Sequence, residues 1–311
     1  MPLVSMVIPS FNHRNYILAC IESVILQDYR NIELIIIDDG STDDSVEKIR
    51  GEITACKKRF ARFEFRSRDN KGVAETINEA IEWSKGIYFA AIASDDLLLP
   101  NKTSVLVRNI DLEGLDVAGI FSGCELINQS GAVVGSRNFT QKKMTFEDII
   151  TCKYIIPASS QLLRLEKVKE VGCYPPQLCI EDWYMWLALT DKGYKLKTIS
   201  NLLVQYRHHA SNTSKNSLKM LESRKIILSS YEKHPLYLHA LALIYISAAI
   251  DYSFTSKKKA LVYLLKAARL NLKTILTQHF LTAFIMLFMP AFITKWLVSV
   301  RRLIALFQRK R

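Results

Sequence analysis

From Tyr252 to Arg311 the chain contains no aspartate and no glutamate, although 12 lysines and arginines fall there. Residues 1–251 hold the other 30 basic and all 30 acidic side chains and sum to zero, so the formal charge of +12 belongs to the tail. Metal-type cysteine pairing is missing as well. Six cysteines (Cys20, Cys56, Cys124, Cys152, Cys173, Cys179) form no C-x-x-C, and no histidine pair with zinc spacing accompanies them. They read as reduced thiols of a cytoplasmic protein. The opening MPLVSMVIPSFN has neither a basic start nor a long apolar core, which predicts a first strand and not a signal peptide. Long apolar runs are scarce too: Phe280 to Ile293 is uncharged for 14 residues but is interrupted by Pro290, short of the roughly 20 that a span needs.

What is present is a repeated rhythm of strand and helix. Strands are expected at Leu3–Ile8, Ile32–Ile37, Phe63–Arg66 and Ile87–Ile92, with helices at Tyr16–Leu26, after Asp43 toward Cys56, and at Val73–Ser84. Such alternation predicts an α/β fold with a doubly wound, mostly parallel sheet. After Asp96 come a helix behind Pro100, strands at Val117–Phe121 and Glu125–Ile127, and a turn at Asn128–Gly131, which suggest an antiparallel edge. EDWYMWLALTDKG reads as a helix ended by Gly193, its Trp183, Trp186 and Leu187 packing into the core. Beyond Ser217 the pattern is all-helical, at Leu236–Ile250, Lys258–Leu272 and from Thr274 on, so residues 1–217 and 218–311 are expected as two regions.

Four polar stretches stand at the ends of expected elements. In IIIDDGSTDDS, Ile35 to Ser45, a strand buried on both faces runs straight into Asp38 and Asp39. The carboxyl edge of an open α/β sheet is where ligands bind. A calcium loop fails there, since the twelfth position from Asp38 or Asp39 is Ile49 or Arg50 and not a glutamate. A helix cap is the plain alternative for Asp39. In IASDDLLLP, the adjacent carboxylates of Asp95 and Asp96 are either solvated or held by a divalent cation. Magnesium and manganese suit such oxygen ligands and bridge to a diphosphate. Glu181 and Asp182 open a helix, where negative charge also simply favours the dipole. In YRHHASNTS, Tyr206 to Ser214, two histidines follow a strand and can complete a metal shell.

In this order the stretches VSMVIPSFN, SVILQDYRNIELIIIDDGSTDDS, NKGVAETINEAIEWSKGIYFAAIASDDLLLP, EDWYMWLAL and YRHHASNTS resemble the family 2 glycosyltransferases of the GT-A fold, over about two thirds of the chain. The resemblance implies that Pro9 and Asp39 hold the nucleotide base, that Asn70, Lys71 and Gly72 form the loop closing over the nucleotide, and that Asp95 lies near the ribose. It further implies that Asp96 binds the metal, Mn2+ or Mg2+, that His209 reaches the metal or the diphosphate, and that Asp182 is the catalytic base in preference to Glu181. One departure is Ala93, where most members carry another aspartate. The implied reaction is an inverting transfer of a sugar from a UDP-sugar onto a glycan or polyprenyl-linked acceptor of a cell-surface polysaccharide or lipopolysaccharide. Two alternatives are a nucleotide-sugar pyrophosphorylase, which needs a glycine-rich loop that IPSFNHRN lacks, and a membrane scaffold, against which the retained Asp39, Asp96 and Asp182 argue. Donor and acceptor choice is expected to rest on pocket shape between about Ile120 and Ile180, where residue types are not diagnostic.

The tail has its own expectation. Ile293, Trp296, Leu297, Val300, Leu303, Ile304 and Phe307 share one helical face, with Lys295, Arg301, Arg302 and Arg309 on the other. This predicts an interfacial helix on anionic lipid, at the inner face of the plasma membrane. A terminal helix packed on the protein and a single membrane span are its alternatives. Nucleic acid is not expected as a partner, because a phosphate backbone has no use for so broad an apolar face.

Overall fold

The computed structural model describes residues 1–153, 156–172, 174–175, 178, 180–209, 212 and 216–290. Two compact units divide the chain: Met1–Phe146 with Ile155–His209, and Glu147–Tyr154 with Ala210–Arg311.

The first unit begins with the alternation β1 (Val4–Ser10), α1 (Ile17–Ile25), β2 (Ile32–Asp38), α2 (Ser45–Arg59), β3 (Arg62–Ser67), α3 (Val73–Trp83) and β4 (Tyr88–Ala91). It continues through β5 (Leu97–Leu98), α4 (Lys102–Asp111), β6 (Val117–Ile127), β7 (Val133–Arg137), β8 (Lys142–Met144) and α5 (Phe146–Ile150), whose last four residues belong to the second unit. β9 (Gln161–Arg164), α6 (Leu165–Val171), α7 (Glu181–Asp191) and β10 (Lys195–Arg207) complete it. One sheet runs in the order β3-β2-β1-β4-β9-β6-β10-β5, with β7 on β6 and β8 on β10.

The β3-β2-β1-β4 part is parallel throughout, as the strand and helix rhythm predicts. Every residue of β2 is buried, because helices cover both faces and strands flank both edges. Leu34 and Ile36 of this strand join Ile8, Ile21 and Ile49 in the main core. Burying each such side chain fully is worth about 1.5–3 kcal/mol. The remainder is mixed: β9 is antiparallel to β4 and β6, while β6 and β10 are parallel to each other. The two strands expected between Val117 and Ile127 are one, whose first half pairs with β9 and second half with β7. Ser122-Gly123 interrupts the apolar run at the change of partner. A Cβ at Gly123 would stand 2.6 Å from the Arg137 carbonyl oxygen, so the neighbouring backbone requires glycine there.

The second unit carries α8 (Ser217–Ser229), α9 (Tyr237–Tyr252), α10 (Lys257–Leu270), a 3-10 turn at Leu272–Leu276, and α11 (Gln278–Phe288). Asn216, Ser256 and Thr277 cap α8, α10 and α11 through side-chain oxygens that accept backbone N–H groups. Small residues let α9, α10 and α11 approach: Ala242, Ala249, Ala267 and Ala283 form their core with Ile246 and Leu264. Among the described residues no helix is long and apolar enough to cross a membrane. The amphipathic helix predicted at Ile293–Arg309 lies outside the described residues.

Candidate active site at the carboxyl edge of the sheet

β1 and β2 end side by side, with Ser10 in register with Asp38. Asp38 is fully buried, and its carboxylate accepts the Ser10 hydroxyl at 3.1 Å and the Ser41 N–H and hydroxyl at 2.8 and 2.6 Å. The first of the two carboxylates therefore builds the turn. Gly40 has φ +79°, and a Cβ there would lie 2.7 Å from the Asn70 nitrogen, so the turn packs directly against the 68–72 loop.

Asp39 organises that loop. Its Oδ1 accepts the Lys71 N–H at 2.8 Å, its Oδ2 accepts the Gly72 N–H at 2.9 Å, and the Arg68 guanidinium pairs with Oδ1. The Asn70 side chain donates to the Asp39 carbonyl at 2.8 Å. Arg68 is tied in turn to Glu79 at 2.9 Å and to the Thr76 hydroxyl at 3.0 Å. Three of the roughly four acceptor positions of the Asp39 carboxylate are thus engaged. The structure brings together Asp39, Asn70 and Lys71. Pro9 stands on β1 beside Ile37. Val7 accepts the Ile92 N–H on the β4 side; Pro9 turns the same edge past the end of β4, where a missing N–H breaks no ladder bond.

The other centre joins the ends of β4 and β10. His209 Nε2 lies 2.7 Å from Asp95 Oδ2, with both residues buried. His13, in the loop after β1, places its Nδ1 2.7 Å from the Ser94 hydroxyl and its ring edge-on to His209 at 5.7 Å between centroids. Single ligand atoms of His13, Asp95 and His209 all lie within 4.8 Å of one another. Tyr16 closes the group, its ring 4.9 Å from that of His209 and 5.0 Å below the Arg207 guanidinium. Burial holds the His13 imidazole below its ordinary value and the nearby His209 adds to this, with the Asp95 carboxylate opposing.

The resemblance implies Asp96 for the metal and Asp95 for the ribose; in the structure it is Asp95 whose carboxylate lies beside the imidazoles. Asp96 is 1% exposed and turned inward, its two oxygens accepting the Ser159 hydroxyl at 2.6 Å and the Arg207 N–H at 2.8 Å. Burial and the adjacent Asp95 charge raise its carboxyl well above the ordinary range. Arg207 also donates to the carbonyls of Asp95 at 2.8 Å and of Asn128 and Gln129 at 3.2 Å, so it ties the end of β10 to the Ser94–Asp96 turn and to the β6–β7 turn. Ser159 accepts the Ala93 N–H at 3.1 Å. His13, Ser159 and Arg207 were not singled out in the sequence. His13 is a lone polar residue in a loop, Ser159 lies 63 residues from its partner, and Arg207 is overshadowed by the two histidines after it.

Glu181 and Asp182 form a separate acidic pair in the first turn of α7. Burial and the Asp182 charge push Glu181 up to about 8. Near neutral pH the pair therefore carries a proton as well as a negative charge. Trp183, Trp186 and Leu187 are buried, as core packing requires.

The donor set of the first cluster, two imidazole nitrogens and one carboxylate oxygen, fits a first-row divalent ion such as Mn2+ better than Mg2+, which prefers oxygen alone.

Comparison with known proteins bears on the family and the fold. The family model described as Glycosyl transferase family 2 matches residues 5–156. The chain is 30% identical over 234 residues to the Escherichia coli enzyme UDP-Glc:alpha-D-GlcNAc-diphosphoundecaprenol beta-1,3-glucosyltransferase WfaP, an alignment covering 74% of this chain and 87% of that protein. Among solved structures it resembles S. aureus TarS 1–349 in complex with UDP-GlcNAc, with a TM-score of 0.61, 16% identity, and coverage of 86% of this chain and 81% of that one. It also resembles the mannosyltransferase PcManGT from Pyrobaculum calidifontis in complex with GDP-Man and Mn2+, with a TM-score of 0.59, 14% identity, and coverage of 97% and 87%. The fold is GT-A, with a helical C-terminal region added to it.

Proposed function

We propose that this chain, which belongs to glycosyltransferase family 2, moves a sugar from a UDP-sugar to a polyprenyl-linked glycan acceptor with inversion at the anomeric carbon. The observation that carries the reading is the cluster of His13, Asp95 and His209 on the same sheet edge as the loop built around Asp39. On this reading the nucleotide lies over the Asp39 loop and the diphosphate beside the cluster, both at the carboxyl ends of β1, β2 and β4, the edge where ligands bind in open α/β sheets. Asp95, His209 and His13 would hold the divalent cation, with His13 supplying a donor in a chain that has Ala93. When bound, the ion offsets the negative charge that develops on the departing diphosphate. Asp96 and Arg207 position Asp95.

Pro9 and the Asp39 loop, with Asn70 and Lys71, receive the nucleotide. Asp39 acts both by its remaining acceptor position and by holding the loop's N–H groups in place. Asp182 takes the proton of the acceptor hydroxyl as its oxygen bonds to the anomeric carbon, while the bond from that carbon to the diphosphate oxygen breaks. The raised Glu181 favours this assignment, because a protonated Glu181 leaves Asp182 as the acceptor of a proton. One in-line displacement inverts the centre. Work at the inner face of the plasma membrane suits a polyprenyl-linked acceptor, and the basic tail supports it.

The test is transfer by the purified protein from a panel of nucleotide sugars to a polyprenyl-diphosphate-linked acceptor with Mn2+, followed by NMR of the new linkage. A product of opposite anomeric configuration to the donor, formed from a UDP-sugar, supports the reading. A retained configuration, or turnover only with a guanosine donor, overturns it.

A further inference from the structure

The second unit presents an apolar surface that its own core does not use. In α11, Ala283 and Met286 are buried, while Leu281, Phe284, Ile285 and Phe288 follow at helical spacing on the opposite side and are 45–76% exposed. The Phe284 and Phe288 rings meet edge to face at 5.2 Å, making a continuous apolar strip. No residue of α11 is charged. α10 shows the same division: Leu264 and Ala267 are buried, and Leu261, Val262 and Leu265 are 44–50% exposed. A helix that is apolar on both sides has a second apolar phase to meet.

Charge identifies that phase. Lys258, Arg269 and Lys273 are exposed beside these residues, and no acidic side chain occurs from Tyr252 onward. A second copy docking through this surface would set basic side chains against basic side chains with no acid to neutralise them. Anionic lipid offers both phases at once, with phosphate headgroups for the cations and acyl chains for the leucines and phenylalanines. The 11 residues of α11 are too few to cross such an interface, so among the described residues this helix is suited to lie in it. We propose that the outer faces of α10 and α11 form a docking surface for an anionic bilayer. This surface is distinct from the tail helix predicted beyond Pro290, and it does not depend on the sugar-transfer reading.

The experiment is co-sedimentation of the full chain with vesicles of phosphatidylcholine alone or with about a third phosphatidylglycerol. Binding to the anionic vesicles, stronger than to the neutral ones, is expected. The double variant Phe284→Ser, Phe288→Ser should lower the partition coefficient about tenfold or more. Lys258→Gln, Arg269→Gln and Lys273→Gln should each cost about fivefold on anionic vesicles and nothing on neutral ones. These side chains are exposed, and circular dichroism of each variant checks that the helices persist. As a control, Arg301→Gln with Arg302→Gln reports the tail. Full binding by the α11 variant, or binding lost only in the tail control, overturns the proposal. So does a wild-type dimer, seen by light scattering, that the Phe284 and Phe288 changes dissociate.

Discussion

His209 and Asp95 stand 114 positions apart in the chain and 2.7 Å apart in the fold, Nε2 against Oδ2. The contact exists because β10 and the turn after β4 end on the same sheet edge, where Arg207 ties them together through the Asp95 carbonyl and the Asp96 carboxylate. Both residues are buried, so the pair has little competition from water. With His13 they make up the candidate metal-binding group at this edge.

The first prediction separates Asp95 from Asp96. Asp95→Asn should reduce Mn2+ affinity, read by calorimetry or by the Mn2+ EPR signal, and lower turnover by about 10²-fold or more. His13→Gln should weaken Mn2+ by about tenfold. Asp96→Asn should act chiefly on stability, since its carboxylate faces Ser159 and Arg207. Unchanged Mn2+ affinity in Asp95→Asn together with lost affinity in Asp96→Asn would return the ligand role to Asp96.

Ser159 tests the same arrangement from its far side. Ser159→Ala removes the hydroxyl that donates to buried Asp96 and accepts from Ala93. Leaving a buried partner unpaired costs about 1–3 kcal/mol. In a unit of this size each kcal/mol moves the melting temperature by roughly 2–4 °C. Thermal denaturation should show that drop. A variant as stable as the native protein would mean that water or a side-chain shift replaces the hydroxyl.

The fold and the site were legible to different depths. The buried parallel strands β1, β2 and β4 read as apolar runs because both faces are covered, and the acids at their ends stood out against them. β5, with two residues, and β9, with four, give no period to detect. Asp39, Asp95, Asp96 and His209 were visible as polar residues at strand ends. Which of Asp95 and Asp96 faces the imidazoles was not, since the strict alternation of a strand stops at Ala91 and the turn beyond it sets the side-chain directions. Arg207 and Ser159 matter through contacts across 111 and 63 residues, which no local pattern records.

The loop around Asp39 yields a third prediction. Arg68 neutralises Asp39 and links it to Glu79, so Arg68→Met leaves the carboxylate with only the Lys71 and Gly72 N–H groups. A charge-assisted hydrogen bond contributes about 1.5–3 kcal/mol. The Michaelis constant for the donor should therefore rise about tenfold with little change in kcat, because in the proposed reaction this loop meets the nucleotide and not the reacting carbon. Arg68→Lys should recover part of the loss. A fall in kcat at constant KM would show instead that the loop moves during the chemical step.

The last prediction concerns the proton held by Glu181 and Asp182. The folded protein raises Glu181 to about 8, through burial first and the Asp182 charge second, from an ordinary value of 4.5. Between those values the unfolded chain has released the proton that the folded chain keeps. Folding stability should thus fall as pH rises from about 4.5 to about 8 and then level off, as far as this group is concerned. Glu181→Gln removes that contribution, so denaturant titrations at pH 5 and pH 8 should differ less for the variant than for the native protein. The rate should divide the two residues as well. Asp182→Asn should lose about 10²-fold or more in kcat with near-native donor binding, and Glu181→Gln should retain most of its turnover. Were Glu181→Gln the inactive variant and Asp182→Asn the active one, the general base would be Glu181, and the rate would rise with pH toward 8 as its proton leaves.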